Sequence, residues 1–302
     1  MKLVQQHILQ QHSAAVYGLC VGRRGHTFFS VSADKYVAEW DLETMQQSKT
    51  AIRLEDHGYA VLFDETNNLL IVGTSSGSLH LLDLKSKKEL RNLTFHTKGI
   101  FDLVLDSITG LLYLAGGDGV MSVWQYPGME LMRAIPLSSE KLRQLAIHPD
   151  QRLLGIASGD GVVRILDMND HNEVAGFDAH KEGATSLAWH PAKPILLTGG
   201  KDAMLRAWNT SENYREVVSI EAHKYAIYSI VFDKQNNVFY TGSRDGSIKV
   251  WNATDLSVLQ KIDSRAGGHS HSINKLILSG DLLISASDDR KIIIWKPEFE
   301  TT

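Results

Sequence analysis

Four sets of residues pair a histidine with a hydroxyl and a carboxylate, the combination used in nucleophilic hydrolysis. They are His12, Ser30 and Asp34; His180, Thr198 and Asp202; His223, Thr241 and Asp245; and His269, Ser285 and Asp289. In the first three sets the histidine stands 22 residues before the aspartate and the hydroxyl four before it; in the last the first spacing shortens to 20. Two features turn these sets away from catalysis. The set occurs four times, and six residues beyond each aspartate stands a tryptophan: Trp40, Trp208, Trp251 and Trp295. A buried indole has one N–H donor and needs an acceptor, which a Ser or Thr oxygen supplies. A chain from Trp to Ser/Thr to His to Asp satisfies every member, and complete buried networks specify a fold where half-satisfied ones are costly.

No other constellation has the spacing that chemistry needs. "HSH" at 269–271 comes nearest to a metal-ligand set, but the brace claims His269 and leaves His271 alone, so no metal site is expected. His148 and His190 precede prolines in "IHPD" and "WHPA", where turn formation explains them. "GGDG" at 116–119 is Gly-rich, yet no P-loop Lys-Ser/Thr follows it. No catalytic residue and no cofactor are expected. The single cysteine, Cys20, excludes an intrachain disulfide and reads as a small core residue. A net charge of −4 offers no general attraction to phosphate backbones or anionic lipid. The leading "MKLVQQHILQQH" lacks the apolar run of about 7–15 residues of a secretory signal, and no segment approaches the roughly 18 apolar residues of a membrane span. The expected compartment is the cytoplasm, with no membrane partner.

The elements that must position the four sets repeat with them. Aspartate and tryptophan in the same register recur at Asp118 and Trp124, and worn copies place Ser76 with Leu82 and Asp160 with Leu166. The marker positions 40, 82, 124, 166, 208, 251 and 295 lie 42 to 44 residues apart, so seven units of one size fill the chain. Within a unit the period is two. "GSIKVWN", "IFDLVLD" and "AIYSIVFD" alternate, while "DKQNN", "SRDG" and "ATDLS" carry turn chemistry. Each unit is a run of four short strands, and no segment sustains helical periodicity over three turns. A chain made only of short antiparallel strands must manage its edges, and radial closure is the usual solution.

The period, the His near the start of each unit, the turn Asp and the closing Trp resemble the WD-repeat β-propellers, and the resemblance covers the whole chain. It implies an all-β fold: one seven-bladed propeller over 1–302 with four-stranded antiparallel blades. Each copy in such families supplies the outer strand of one blade and the three inner strands of the next. "KLVQQHILQQH", which resembles the "SVLQKIDSRAGGH" before the last repeat, is therefore expected to be the outer strand of blade seven (1–11) and to close the ring. The family also implies the Trp–Ser/Thr–His–Asp brace. Blade 3 keeps His96, Asp118 and Trp124 but has Leu114 in place of the hydroxyl, so its chain must be broken or bridged differently. Blade 4, with Ser138 and Ile156, and blade 2, with Leu54, Val72 and Ser76, are expected to rely on packing alone. Blades 2 to 4 are then the less stable sector, and His57 is a surface loop residue.

In WD-repeat proteins the top face is built from three places per blade. One follows the first apolar residue of the innermost strand, one stands two before it, and one precedes the turn Asp. Carried onto this chain, the first reads Tyr17, Tyr59, Phe101, Arg143, Thr185, Tyr228 and Asn274. The second reads Ala15, His57, Gly99, Lys141, Gly183, Ala226 and Ser272, and the third Ala33, Ser75, Gly117, Gly159, Lys201, Arg244 and Asp288. Tyr228, Tyr17, Tyr59 and Phe101 give an aromatic side left accessible by small neighbours. Lys141, Arg143, Lys201 and Arg244 give a basic sector. Aromatics and Arg dominate interface energetics, so this resembles a docking surface; the alternative is that the rings pack inward with their hydroxyls at the rim.

The resulting expectation is a non-catalytic protein-interaction scaffold, monomeric by itself, that binds a protein or peptide carrying acidic and apolar groups. A small-ligand or enzymatic propeller needs paired carboxylates or a metal cluster, and the projected top face offers Asp288 as its only acid. Nucleic-acid binding would use the basic sector and show steep salt dependence, against the acidic overall balance.

Overall fold

The computed structural model describes residues 1–235 and 237–298. β1 (Lys2–Leu9) leads into β2 (Val16–Val21), β3 (Thr27–Ser32), β4 (Tyr36–Asp41) and β5 (Gln46–Arg53), the four strands of blade 1. Blade 2 is β6 (Gly58–Asp64), β7 (Leu69–Thr74), β8 (Ser78–Asp83) and β9 (Lys88–Thr94). Blade 3 is β10 (Ile100–Asp106), β11 (Leu111–Gly116), β12 (Val120–Gln125) and β13 (Glu130–Pro136). Blade 4 is β14 (Leu142–Ile147), β15 (Leu153–Ser158), β16 (Val162–Asp167) and β17 (Glu173–Asp178). Blade 5 is β18 (Ala184–Trp189), β19 (Ile195–Gly200), β20 (Met204–Asn209) and β21 (Arg215–Glu221). Blade 6 is β22 (Ile227–Asp233), β23 (Val238–Ser243), β24 (Ile248–Asn252) and β25 (Val258–Ile262). Blade 7 combines β26 (Ile273–Ser279), β27 (Leu282–Ser287) and β28 (Ile292–Glu298) with β1, which lies outermost. The fold is a seven-bladed β-propeller of four-stranded antiparallel sheets, closed by its amino-terminal strand.

The turn between the second and third inner strands explains the recurring aspartate. In all seven blades the residue after the turn-aspartate position, which is Ser76 in blade 2, has a positive φ: Lys35, Gly77, Gly119, Gly161, Ala203, Gly246 and Arg290. The aspartate before it holds this turn by accepting the backbone N–H two residues on, as Asp34 does from Tyr36 at 2.9 Å and Asp289 from Lys291 at 3.0 Å. At Gly119 an added Cβ would press on the Ser138 carbonyl, so the φ of +81° and the close approach both require glycine.

The described chain forms two compact units. The first holds residues 1–72, 82–88, 228–235 and 237–298, and its core lies in the seams between neighbouring blades. Phe28, Trp40, Ile284 and Ile294 fill the seam of blades 7 and 1, and Tyr240, Val250, Ile273 and Trp295 that of blades 6 and 7. β1 pairs antiparallel with β28, Leu3 opposite Pro297 and Leu9 opposite Ile292, and both leucines are buried at 2% exposure. Leu3 is tied further to blade 6, its N–H donating to Gln260 Oε1 at 2.7 Å and its carbonyl accepting from Gln260 Nε2 at 3.1 Å. The polar first segment is thus ordered because its backbone completes a sheet.

The second unit holds residues 73–81 and 89–227. Tyr113, Leu142, Leu154 and Leu166 pack between blades 3 and 4, and Leu187, Trp189, Leu196 and Trp208 in the seam of blades 4 and 5. Side chains stitch these seams as well. Asp102 accepts the Leu145 N–H at 3.0 Å, and Gln144, one blade on, accepts that of Leu187 at 3.1 Å. Alternation hides this role in the sequence, because a polar residue on a strand reads as solvent-facing.

Candidate functional site

The hydrolase-like sets of blades 1, 5 and 7 are assembled as braces. In blade 1, Trp40 Nε1 donates to Ser30 Oγ at 2.7 Å, Ser30 Oγ lies 2.8 Å from His12 Nε2, and His12 Nδ1 lies 2.7 Å from Asp34 Oδ2. The same three distances are 2.9, 2.9 and 2.8 Å through Trp208, Thr198, His180 and Asp202 in blade 5. In blade 7 they are 2.8, 2.8 and 3.0 Å through Trp295, Ser285, His269 and Asp289. In blade 6, Trp251 donates to Thr241 at 2.9 Å, His223 is buried, and in the turn the Asp245 carboxylate accepts the Ser247 N–H at 2.9 Å. The hydroxyls are sealed from solvent, Ser30, Thr198, Thr241 and Ser285 each at 0% exposure, so none can meet a substrate. Burial alone would raise the Asp289 carboxyl, but the His269 hydrogen bond and charge and the Ser270 and Lys291 amides outweigh it and hold it at about 2.

Blade 3 is bridged differently. Ser122, directly across the ladder from Leu114, accepts the Trp124 indole at 2.8 Å and lies 2.8 Å from His96 Nε2. His96 Nδ1 reaches Asp118 at 3.0 Å. The expectation that blades 2 and 4 rest on packing alone is corrected. In blade 4, Asp160 accepts from Ser138 Oγ at 2.8 Å and from both terminal nitrogens of Arg164, at 2.8 and 3.3 Å, and is held at about 2 despite its burial. In blade 2, buried His80 contacts Glu89 at 2.6 Å, and Thr74 lies 3.0 Å from Ser76. Charged or hydroxyl partners on the third strand replace the missing brace, so the reason for expecting a weak sector no longer holds for blades 3 and 4.

The three projected top-face places are brought together within a blade. The residue at the first place is a β-bulge: the ladder of the first two strands shifts across Tyr17, Phe101, Arg143, Thr185 and Asn274 in blades 1, 3, 4, 5 and 7. A bulged residue is freed from alternation and its side chain is re-aimed. The second and third places are tied by a backbone hydrogen bond, Ala33 to Ala15 at 2.8 Å, Gly117 to Gly99 at 2.7 Å, Gly159 to Lys141 at 2.8 Å and Lys201 to Gly183 at 2.9 Å.

In the first unit, the half-buried Tyr17 and Tyr59 meet edge to face, 5.2 Å between centroids at 88°. Burial raises the Tyr17 phenol, and the neighbouring Asp288 and Tyr59 add to the effect. Asp288 accepts from Asn274 Nδ2 at 2.8 Å. Tyr228 is half-buried and Arg244 exposed. His57 is exposed, its Nδ1 2.5 Å from the Ala33 carbonyl oxygen.

In the second unit the division between aromatic and basic sides is corrected. Phe101 lies under Arg143, whose guanidinium carbon is 4.7 Å from the ring centroid, and Lys141 Nζ is 5.7 Å from the same centroid. Gly117 allows this, since a Cβ there would press on Phe101. Burial lowers the Lys141 ammonium pKa first, and the like charges of Arg143, Lys201 and Lys98 lower it further against the opposing Glu140. Lys98 escaped the sequence projection because it stands one residue before the second place of blade 3. The ring and the cations form one cluster.

Elsewhere, His148 Nδ1 lies 2.7 Å from Asp150 in its turn, and His190 Nδ1 accepts the Ala192 and Lys193 amides at 3.1 and 3.0 Å. His271 is exposed, with Nδ1 2.9 Å from Ser270 Oγ. Burial pushes the Cys20 thiol up to about 12. Among the described residues no group of three or more His, Cys, Asp or Glu is arranged to hold a metal, and no helix is long and apolar enough to cross a membrane.

Braced four-stranded blades define a class, the repeat β-propellers. Sequence comparison agrees. The family described as "WD domain, G-beta repeat" matches residues 3–41, 214–252 and 260–296, and the "Anaphase-promoting complex subunit 4 WD40 domain" matches residues 120–192. The Echinoderm microtubule-associated protein-like elp-1 of Caenorhabditis elegans is 26% identical over 116 residues, covering 38% of this chain and 13% of that protein. Human WD repeat-containing protein 90 is 29% identical over 119 residues, 39% of this chain and 7% of its own length. Rat WD repeat-containing protein 55 is 28% identical over 100 residues, 33% of this chain and 26% of its own. The chain therefore spans well under two thirds of these relatives. It belongs to the WD-repeat family, whose propellers generally act as protein-interaction scaffolds.

Proposed function

We propose that residues 1–302 act as one non-catalytic scaffold in the cytoplasm that docks a protein or peptide carrying acidic and apolar groups on its top-face places. The observation that carries this reading is the cluster of the second unit, where Arg143 and Lys141 lie over Phe101 and where burial first, and then crowded positive charge, depress the Lys141 ammonium. A carboxylate arriving there relieves like-charge repulsion, while the ring offers apolar area to the residue beside it. Tyr17, Tyr59, Tyr228 and Arg244 are the corresponding contacts of the first unit, and Lys201 joins the second. A relative named as microtubule-associated and a profile named for a subunit of a complex are consistent with a protein partner.

The test is a pull-down comparing the wild type with the Tyr59→Ala/Phe101→Ala double variant, alongside the melting temperature of both. A partner retained by the wild type and lost by the variant at nearly unchanged melting temperature supports docking. A fall of many degrees with the partner retained assigns the rings to packing.

A further inference from the structure

The position four residues beyond the turn aspartate reads Ala38, His80, Ser122, Arg164, Arg206, Lys249 and Ile293 from blade 1 to blade 7. It faces the brace hydroxyl position across the ladder, as Ala38 faces Ser30, Arg164 faces Ile156 and Arg206 faces Thr198. In blades 4, 5 and 6 it carries a cation. Arg206 Nη1 donates to Asp202 Oδ2 at 2.8 Å, and its Nε lies 3.3 Å from Glu216. Arg164 repeats the arrangement with Asp160, its Nε 3.8 Å from Glu173. Lys249 Nζ lies over the Trp251 ring, 5.5 Å from its centroid.

Blade 1 keeps the turn aspartate of this arrangement but puts alanine in the cation's place. Ala38 stands opposite Ala51, and the two small side chains border a cavity of about 250 Å³ lined also by His12, Asp34, Trp40 and Gln47. Gln47 sits opposite Trp40, the register place that Glu216 holds opposite Trp208 in blade 5. The exposed Tyr36 borders the cavity, which thus reaches solvent. Asp34 is ionised at neutral pH, because hydrogen bonds from His12, Tyr36 and Ser13 outweigh the burial that would raise its carboxyl. Oδ1 accepts only the Tyr36 amide among the described contacts, whereas a carboxylate has about four lone-pair sites.

We propose that this blade 1 cavity is a socket for the guanidinium of an arginine side chain supplied by a partner protein. The incoming group takes the place that Arg206 and Arg164 fill from within their own blades: it donates to Asp34 and to the Gln47 amide oxygen, over Trp40. Planar donors matched to a carboxylate favour arginine over lysine here. The socket is separate from the top-face places and does not rest on the docking proposed above.

The full chain is titrated with N-acetyl-arginine methylamide and with its neutral near-isostere N-acetyl-citrulline methylamide, following the Trp40 indole N–H resonance. The arginine probe should give a saturable shift, and the citrulline probe should bind at least about tenfold more weakly for loss of a charge-assisted pair. In Ala38→Arg the built-in guanidinium should abolish the response. In Gln47→Glu, which copies the second carboxylate of blades 4 and 5, arginine binding should tighten several-fold while citrulline binding stays as it was. Equal response to both probes, a response that persists in folded Ala38→Arg, or unchanged arginine affinity in Gln47→Glu would overturn the proposal.

Discussion

Ser122 stands across the ladder from Leu114 and lies 2.8 Å from His96 Nε2, so the hydroxyl that blade 3 lacks on its second strand is supplied from its third. One strand's loss is met by its neighbour because both positions point into the same seam, within reach of one indole and one imidazole.

Replacing Ser122 by alanine leaves the Trp124 indole and the His96 ring without that acceptor and donor. The expected cost is about 1–3 kcal/mol, read as a lower urea midpoint. Adding Leu114→Ser to Ser122→Ala should recover part of the loss by restoring the arrangement of blades 1 and 7. A double variant no more stable than the single one would contradict the exchange of roles.

The Asp289 carboxyl is depressed to about 2 in the folded chain, against about 3.9 when unfolded, so folding favours its charged form. Its contribution, on the order of 2 kcal/mol, is fully present above about pH 4 and is lost as pH falls toward 2. Asp289→Asn should therefore be less stable at neutral pH and lose less stability on acidification. Denaturant unfolding between pH 7 and pH 2 measures both slopes, and equal slopes would refute the linkage.

Removal of residues 1–11 strips β1 from blade 7, exposing the backbone edge of β28 and the apolar seam that Leu3 and Leu9 cover. An open strand edge beside apolar surface promotes association. Light scattering after size exclusion should show oligomers or aggregate, and the melting temperature should fall by several degrees. A monomer as robust as the full chain would show that closure does not need this strand.

Gly119→Ala places a Cβ against the Ser138 carbonyl at a φ of +81°. Strain and displacement together should cost about 1–3 kcal/mol. Ala203, which tolerates a φ of +62° at the equivalent turn, serves as the control, since Ala203→Gly should change stability little. Equal melting temperatures for Gly119→Ala and the wild type would show that the turn relaxes freely.

The amino-acid sequence by itself determined the period, the count of seven, the strand character of each unit and the braces of blades 1, 5 and 7. These follow from spacings within a single repeat, where turn chemistry and alternation are local and each copy checks the others. The closing strand was legible too, because "KLVQQHILQQH" resembles a segment whose place in the repeat is known. Only the tertiary structure decided that Ser122 stands in for Leu114, that Arg164 and Ser138 brace Asp160, that Arg143 covers Phe101, and that Ala38 with Ala51 opens a cavity beside Asp34. Each depends on which residue faces which across a ladder or a seam, and on the bulge that turns one side chain out of alternation. Cross-strand register joins residues that no spacing within one strand relates, and it exists only once the sheets have formed.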